Sequence, residues 1–225
     1  MVTESVRNVF RTTAEAADVR PFTVEGRGPG PSLLSGTGPS VPTAKESPGI
    51  LSHMSTDEER KEPIERRVGE VLSNAGATVA LAESCTGGLI ASLLTDVPGA
   101  SEYVDRSLVA YAYDAHRTLL GVSREALDAH GTVSEESARQ MAQAARDGAD
   151  TTWGLAATGV LGPGGGTPQK PVGTVFVGVA YAGAWGSGTS GTSVRRYTLE
   201  GNRREMKERL ARKALGDLHE AILAH

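Results

Sequence analysis

A single cysteine, Cys85, stands among the 225 residues. No disulfide can close within this sequence and no cysteine cluster can hold zinc, a usage that fits a reducing, cytoplasmic compartment. Nor does any apolar run approach the roughly 20 residues that span a bilayer. The first 22 residues lack the apolar segment of a secretory signal; Arg7, Arg11 and Arg20 would suit a transit peptide, but Glu4, Glu15 and Asp18 argue against one. Charge of one sign is scarce as well, the net being -4. That mild acidity offers no basic stripe to a phosphate backbone, so neither nucleic acid nor membrane is an expected partner. No repeat with a period of 20 to 50 residues is present.

The first 53 residues lack what a core needs. Between Glu25 and Ile50 there are six glycines, five prolines and no aromatic residue. Such a stretch buries too little apolar surface to offset its ordering entropy and is expected to be a disordered tail. Residues 54–225 are enough for one domain and too few for two. The tail is charge-neutral, so the whole net charge belongs to the domain. Met54, followed by Ser55-Thr56-Asp57, is an alternative translational start.

Within the domain, Ile64, Val68, Val71 and Leu72 recur at helical spacing between Pro63 and Gly76. The short apolar run 77–83 reads as a strand, broken by Ser84-Cys85-Thr86-Gly87-Gly88 before a helix from Leu89. A second strand is expected over 107–113, followed by two short helices, and Ser134-Glu135-Glu136 caps another helix with Ala138, Met141, Ala142 and Ala145 facing the core. Trp153 to Ala157 reads as a buried strand running into the glycine-rich loop 158–166. Strands over 173–181 and 192–199 form a hairpin, and a long helix carrying Met206, Leu210, Ala214, Leu218 and Ile222 closes the chain. This order predicts an α/β fold: a three-layer α/β/α sandwich around a mixed, mostly parallel sheet. Ligands in such folds gather at the carboxyl edges of the strands, where loops 84–88 and 158–166 are expected.

Ser84, at a strand-to-helix turn, can serve as a nucleophile beside outward-pointing amides, or simply as a helix cap, a role Thr86 could also fill. Cys85 is the rival nucleophile, but beside an apolar strand it reads better as a small core residue. Gly162, Gly164, Gly165 and Gly166 permit close backbone approach and an anion nest. They match neither the Walker A nor the dinucleotide pattern, which excludes a nucleoside triphosphatase of that type.

Six motifs in order, Ala82-Glu-Ser-Cys-Thr-Gly-Gly88, Val97-Pro-Gly-Ala-Ser101, Val109-Ala-Tyr111, His130-Gly-Thr-Val-Ser-Glu135, Thr158-Gly-Val-Leu-Gly-Pro163 and Lys170-Pro-Val-Gly-Thr-Val175, resemble the CinA C-terminal domain family over about residues 60–224. The resemblance implies hydrolysis of the nicotinamide mononucleotide carboxamide to nicotinic acid mononucleotide and ammonia. It also implies an α/β/α fold, no metal or cofactor, and a possible homodimer. The first 53 residues are too few for the molybdopterin-binding-like domain that precedes this one in full-length members. Carried over by position, Ser84 resembles the nucleophile and Tyr111 a residue that helps to move its proton. Thr86, Gly87, Ser101, Thr158, Gly159, Gly162, Gly164 and Gly165 would hold the substrate, and Arg203 its phosphate, consistent with the demand of a dianion for a guanidinium and clustered amides.

One position departs. Where the family has a lysine base, this chain has His116, in Tyr111-Ala-Tyr-Asp-Ala-His116, and Tyr113 replaces the usual asparagine. Histidine is a competent base near pH 7. Its shorter reach predicts that contact with Ser84 needs a backbone shift or a bridging water, with Asp114 the nearest orienting carboxylate. The alternative is a weakened or inactive pyridine-nucleotide binding protein. Lys170 belongs to its own loop and is not expected to replace the base. Because every candidate lies between Ser84 and Arg203, removal of residues 1–53 is expected to leave a cooperative thermal transition and any ammonia-releasing activity intact. A soluble truncated protein that lost either would contradict that boundary.

Overall fold

The computed structural model describes residues 62–225; the tail and the boundary at Met54 lie outside the described residues. The first helix, α1 (Ile64–Ala75), runs between the expected proline and glycine and buries Val68 and Leu72. It leads into β1 (Val79–Glu83), which is buried along its whole length, and then α2 (Leu89–Thr95). A 3-10 turn at Ala100–Glu102 precedes β2 (Val104–Val109), followed by α3 (Tyr113–Leu120) and α4 (Arg124–His130). Next come α5 (Glu135–Ala149), β3 (Trp153–Gly159), β4 (Thr174–Tyr181), β5 (Gly191–Thr198) and α6 (Arg203–Leu223).

The strands form one mixed sheet in the order β2-β1-β3-β4-β5. β1 pairs in parallel with β2 and β3, whereas β4 is antiparallel to both β3 and β5. β4 is thus the one reversed strand, and the carboxyl ends of the other four open at the same edge.

Side-chain alternation divides the two faces by size. Val79, Leu81, Leu155, Val175, Val177 and Val179 point to one face and form a core with Val68, Leu72, Ile90, Leu94, Leu210 and Leu218 from α1, α2 and α6. Ala80, Ala82, Ala156 and Ala180 point to the other, against Met141, Ala142 and Ala145 of α5. Here the strand glycines are a packing requirement. A Cβ at Gly178 would lie 2.5 Å from the Ala138 carbonyl oxygen, and one at Gly154 would collide with that of Ala142. Small residues on the sheet therefore meet small residues on the helix, and α5 lies close against the strands.

One element differs from expectation. The second strand spans 104–109 rather than 107–113, and Tyr113 begins α3. β2 is an edge strand with both faces partly exposed, so charged Asp105 and Arg106 hide it from an apolar pattern, while Ala110 to Tyr113 copy a strand's composition.

Gly154→Ala and Gly178→Ala are expected to cost about 1–3 kcal/mol each through overpacking. Gly148→Ala, on α5 with no heavy atom within 4 Å of the added methyl, should be neutral or slightly stabilising. Urea unfolding midpoints check the contrast, and equal effects at all three positions would refute it.

Candidate active site

The turn after β1 is organised by Glu83, whose side chain is fully buried. Its Oε2 accepts from the Gly88 and Ile90 amides at 2.8 and 3.1 Å. Oε1 accepts from the Ala91 amide at 2.9 Å and from Ser107 Oγ at 3.2 Å. These are the first amides of α2, which a serine or threonine cap would ordinarily satisfy. Neither Ser84 nor Thr86 takes that role. The Thr86 hydroxyl is buried and has no partner among the described residues, and Gly87 and Gly88 turn the chain at φ +57° and +93°.

Ser84 is held at both ends by backbone. Its amide donates to the Ala157 carbonyl of β3 at 3.0 Å, and its carbonyl accepts from the Gly87 amide at 3.1 Å. With no capping duty, Oγ lies 3.2 Å from His116 Nε2. Among the described residues neither Cys85 nor Thr86 donates its amide to the backbone of another residue, so both amides are candidate oxyanion donors beside Ser84.

His116 reaches this point because the Ala110 amide donates to the Glu83 carbonyl at 2.8 Å, which ties the start of the α3 segment to the end of β1. The imidazole is wholly buried, and burial pushes its pKa below the ordinary histidine value, with the Ala110 backbone working the other way. Burial thus favours the neutral ring, whose Nε2 can accept when the proton sits on Nδ1. Nδ1 forms no hydrogen bond of good geometry among the described residues.

Two expectations are corrected. The serine and histidine are in direct hydrogen-bond contact, so of the two expected routes the bridging water is not required; His116 lies on the buried side of α3 beside the end of β1. Asp114 does not orient it. Two residues apart on a helix, the side chains diverge, and the Asp114 carboxylate is exposed, 3.9 Å from Arg117.

Arg203, the first residue of α6, follows the Asn202 cap and its capping box with Glu205. It donates to the Gly162 carbonyl and to the Tyr111 hydroxyl, both at 2.6 Å. Tyr111 is 62% exposed and makes no hydrogen bond to Ser84 among the described residues. Thr158 is buried beside the site, but its hydroxyl donates to the Thr132 carbonyl at 2.8 Å. Gly159 is a packing glycine, since a Cβ there would run into Val175. Gly162 has φ +65° and presents its carbonyl to Arg203, while Gly164 and Gly165 are exposed in the loop beyond. Lys170 is held by the His130 carbonyl, away from any base role.

Ser101 is not brought to this site by the chain's own fold. It precedes β2, whose first residue pairs with the first residue of β1, so it stands at the opposite end of the sheet. There it lines a cleft of about 560 Å³ with Val97, Pro98 and Ser107. Cys85 is equally unsuited as nucleophile, because burial pushes its thiol up to about 12, against the opposing pull of Arg203 and Lys207.

Glu83 and Lys207 escape a reading of the sequence. An acidic residue closing an apolar strand just before a helix could have marked the first, and the fourth position after Arg203 the second. Among the described residues no group of three or more His, Cys, Asp or Glu side chains is placed to hold a metal ion, and no helix is long and apolar enough to cross a membrane.

Residues 61–222 match the model of the CinA C-terminal domain. The chain is 47% identical over 161 residues to a CinA-like protein of Desulforapulum autotrophicum, covering 71% of this chain and 36% of that protein. It is 48% identical over 147 residues to one of Desulfosudis oleivorans, covering 65% and 34%. It thus spans about a third of the length of these curated relatives. Among solved structures, the competence/damage inducible protein CihA of Agrobacterium tumefaciens superposes with a TM-score of 0.64 at 36% identity, covering 72% of this chain and 96% of that one. A CinA-superfamily protein of Klebsiella pneumoniae gives 0.67 at 27%, covering 72% and 97%.

Burial of His116 has a sign that can be checked. The unfolded chain takes up a proton near the ordinary value of about 6.5, whereas the folded chain resists it to lower pH. Stability supplied by the neutral ring is complete above that value and is lost as pH falls towards the folded pKa. An NMR titration of the imidazole should give a midpoint below 6.5, and His116→Gln should flatten this part of the stability profile. A midpoint at or above 6.5 would contradict the burial argument.

Proposed function

The chain belongs to the CinA C-terminal domain family, and from that premise we propose that it is a serine amidohydrolase acting on the carboxamide of nicotinamide mononucleotide. The single observation that carries the reading is the 3.2 Å contact between Ser84 Oγ and the buried His116 Nε2. A nucleophile within hydrogen-bond reach of a base is the geometry that acyl transfer needs. It favours turnover over an inactive binding module, because the substituted base still reaches the nucleophile.

In this mechanism Nε2 takes the hydroxyl proton as Oγ bonds to the carboxamide carbon. The carbonyl oxygen gains negative charge, and the free amides of Cys85 and Thr86 receive it. The tetrahedral carbon collapses, its C–N bond breaks, and His116 returns the proton so that ammonia leaves. Water then gives a proton to His116 and attacks the ester. Ser84 regains its proton and nicotinic acid mononucleotide departs. Among the described residues no carboxylate holds Nδ1, so the pair works as a dyad without the tautomer lock of a serine-histidine-aspartate triad. Tyr111 and Arg203 bracket the Gly162 loop, which suits substrate positioning. The same reading carries a cytoplasmic setting and a homodimer.

Purified protein is expected to release ammonia from nicotinamide mononucleotide, and Ser84→Ala to reduce kcat by at least about 1,000-fold, the scale of losing a nucleophile. As pH falls, kcat should hold through the ordinary histidine range and decline only as His116 protonates at lower pH. Absence of ammonia release from the wild-type protein between pH 6 and 9 would reject the activity.

A further inference from the structure

The carry-over of the phosphate role to Arg203 meets a difficulty in the fold. Two of its donors are already spent, one on the Gly162 carbonyl and one on the Tyr111 hydroxyl, each at 2.6 Å. Arg203 acts as a clamp that joins the start of α6 to the glycine loop and to the segment leading into α3. A clamp of this kind positions its neighbours: three of the five guanidinium N–H donors remain for a ligand, but the two bonds to the loops fix where those donors can point.

Lys207 has no such duty. It lies four residues along α6, so it shares a helix face with Arg203. Its ammonium reaches the nucleophile turn: a Cβ built on Gly87 would lie 3.4 Å from Nζ. Its charge is also felt at Cys85, the residue next to Ser84. Among the described residues, no carboxylate lies within salt-bridge distance of Nζ and no hydrogen bond engages it. The turn beside it carries the buried, unpartnered Thr86 hydroxyl and Gly87, whose exposed backbone leaves room for an approaching group. A half-buried lysine with no salt-bridge partner among the described residues, its Nζ beside a glycine turn, is suited to a dianionic group, for which a point charge with three donors is a good partner.

We infer that Lys207 is the specificity-determining cation of this site: it receives the phosphate monoester of the substrate and selects a mononucleotide over the corresponding nucleoside, while Arg203 holds the loops in place. The inference rests on the proposed substrate class and refines it, because it assigns discrimination to a residue that the family resemblance did not supply.

The test separates the inference from the activity. Binding of nicotinamide mononucleotide and of nicotinamide riboside is measured by calorimetry on Ser84→Ala protein, in which turnover is blocked, and the ratio of the two dissociation constants is the readout. The expected result is a clear preference for the mononucleotide that falls roughly tenfold or more on adding Lys207→Gln, the effect of losing one charge-assisted hydrogen bond. Lys207→Arg should restore most of the preference. Lys213→Gln, which removes one positive charge from the same helix where it covers the Tyr197 ring, should leave the ratio unchanged. Inorganic phosphate should compete with the mononucleotide and lose that competition in Lys207→Gln.

An unchanged ratio in Lys207→Gln overturns the inference, as does a wild-type site that binds both ligands equally or neither. A fall of the same size in Lys213→Gln also overturns it, since net charge would then be the cause. If the ratio behaves as expected but no ammonia is released, the hydrolase reading fails and the role of Lys207 stands. If ammonia is released and Lys207→Gln leaves the ratio intact, the activity stands and the inference is refuted.

Discussion

The site depends on one buried carboxylate. Glu83 is enclosed at the end of β1, and no cation forms an ion pair with it among the described residues. Burying such a charge is costly unless hydrogen bonds replace its hydration. Here three backbone amides and a hydroxyl do so, each bond to a charged group contributing about 1.5–3 kcal/mol. The consequences run along the chain. The side chain fixes where α2 begins and, through Ser107, where β2 lies. The backbone carbonyl of the same residue holds Ala110 and hence the approach to α3. Ser84 and His116 are 32 positions apart, yet both hang from this one residue, which explains how their contact can be short without a bridging group.

The division of the sheet into a large-residue face and a small-residue face sets the frame around that anchor. Bulky Leu and Val side chains bring α1, α2 and α6 to one side, while Ala and Gly let α5 come close on the other. Because β4 is the one reversed strand, the ends of β1, β2, β3 and β5 meet at a common edge. Each contributes a piece there: the nucleophile turn after β1, Tyr111 and His116 after β2, Thr158 and the glycine loop at the end of β3, and Arg203 with Lys207 after β5. The sheet order thus converts residues scattered from 84 to 207 into one rim.

Much of this was legible in the sequence because it follows from periodicity and turn chemistry. The helices at Ile64 and Glu135, the buried β3 and the hairpin of β4 and β5 emerge from apolar spacing and cap residues, and Ser134 does cap α5 through the Ser137 amide. The edge strand β2 was not legible, since exposure on both faces removes the alternation that marks a strand. Glu83 was hidden for a related reason: a carboxylate that satisfies backbone amides leaves no signature in spacing, and the neighbouring Ser84 and Thr86 hydroxyls are the more usual caps. Ser101 shows the opposite failure. Its substrate role came only from the family resemblance, whereas within this chain a residue that enters the next parallel strand stands at the far end of the sheet from one that leaves the previous strand.

The burial that creates the dyad also limits it. Removing His116 from water lowers its affinity for a proton, so the ring is ready as a base over a wide pH range but pulls less strongly on the serine hydroxyl. The same surroundings push the Cys85 thiol far from ionisation, which disfavours it as a nucleophile and leaves the Ser84 hydroxyl as the proposed reacting group. A lysine in such a site would have to lose its proton to act, and burial would help it; a histidine begins neutral, and burial takes some of its strength. Exchange of lysine for histidine therefore trades a base that burial must activate for one that burial weakens. In the proposed mechanism the direct contact with Ser84 offsets that loss, because a weaker base can still accept a proton across a hydrogen bond already formed.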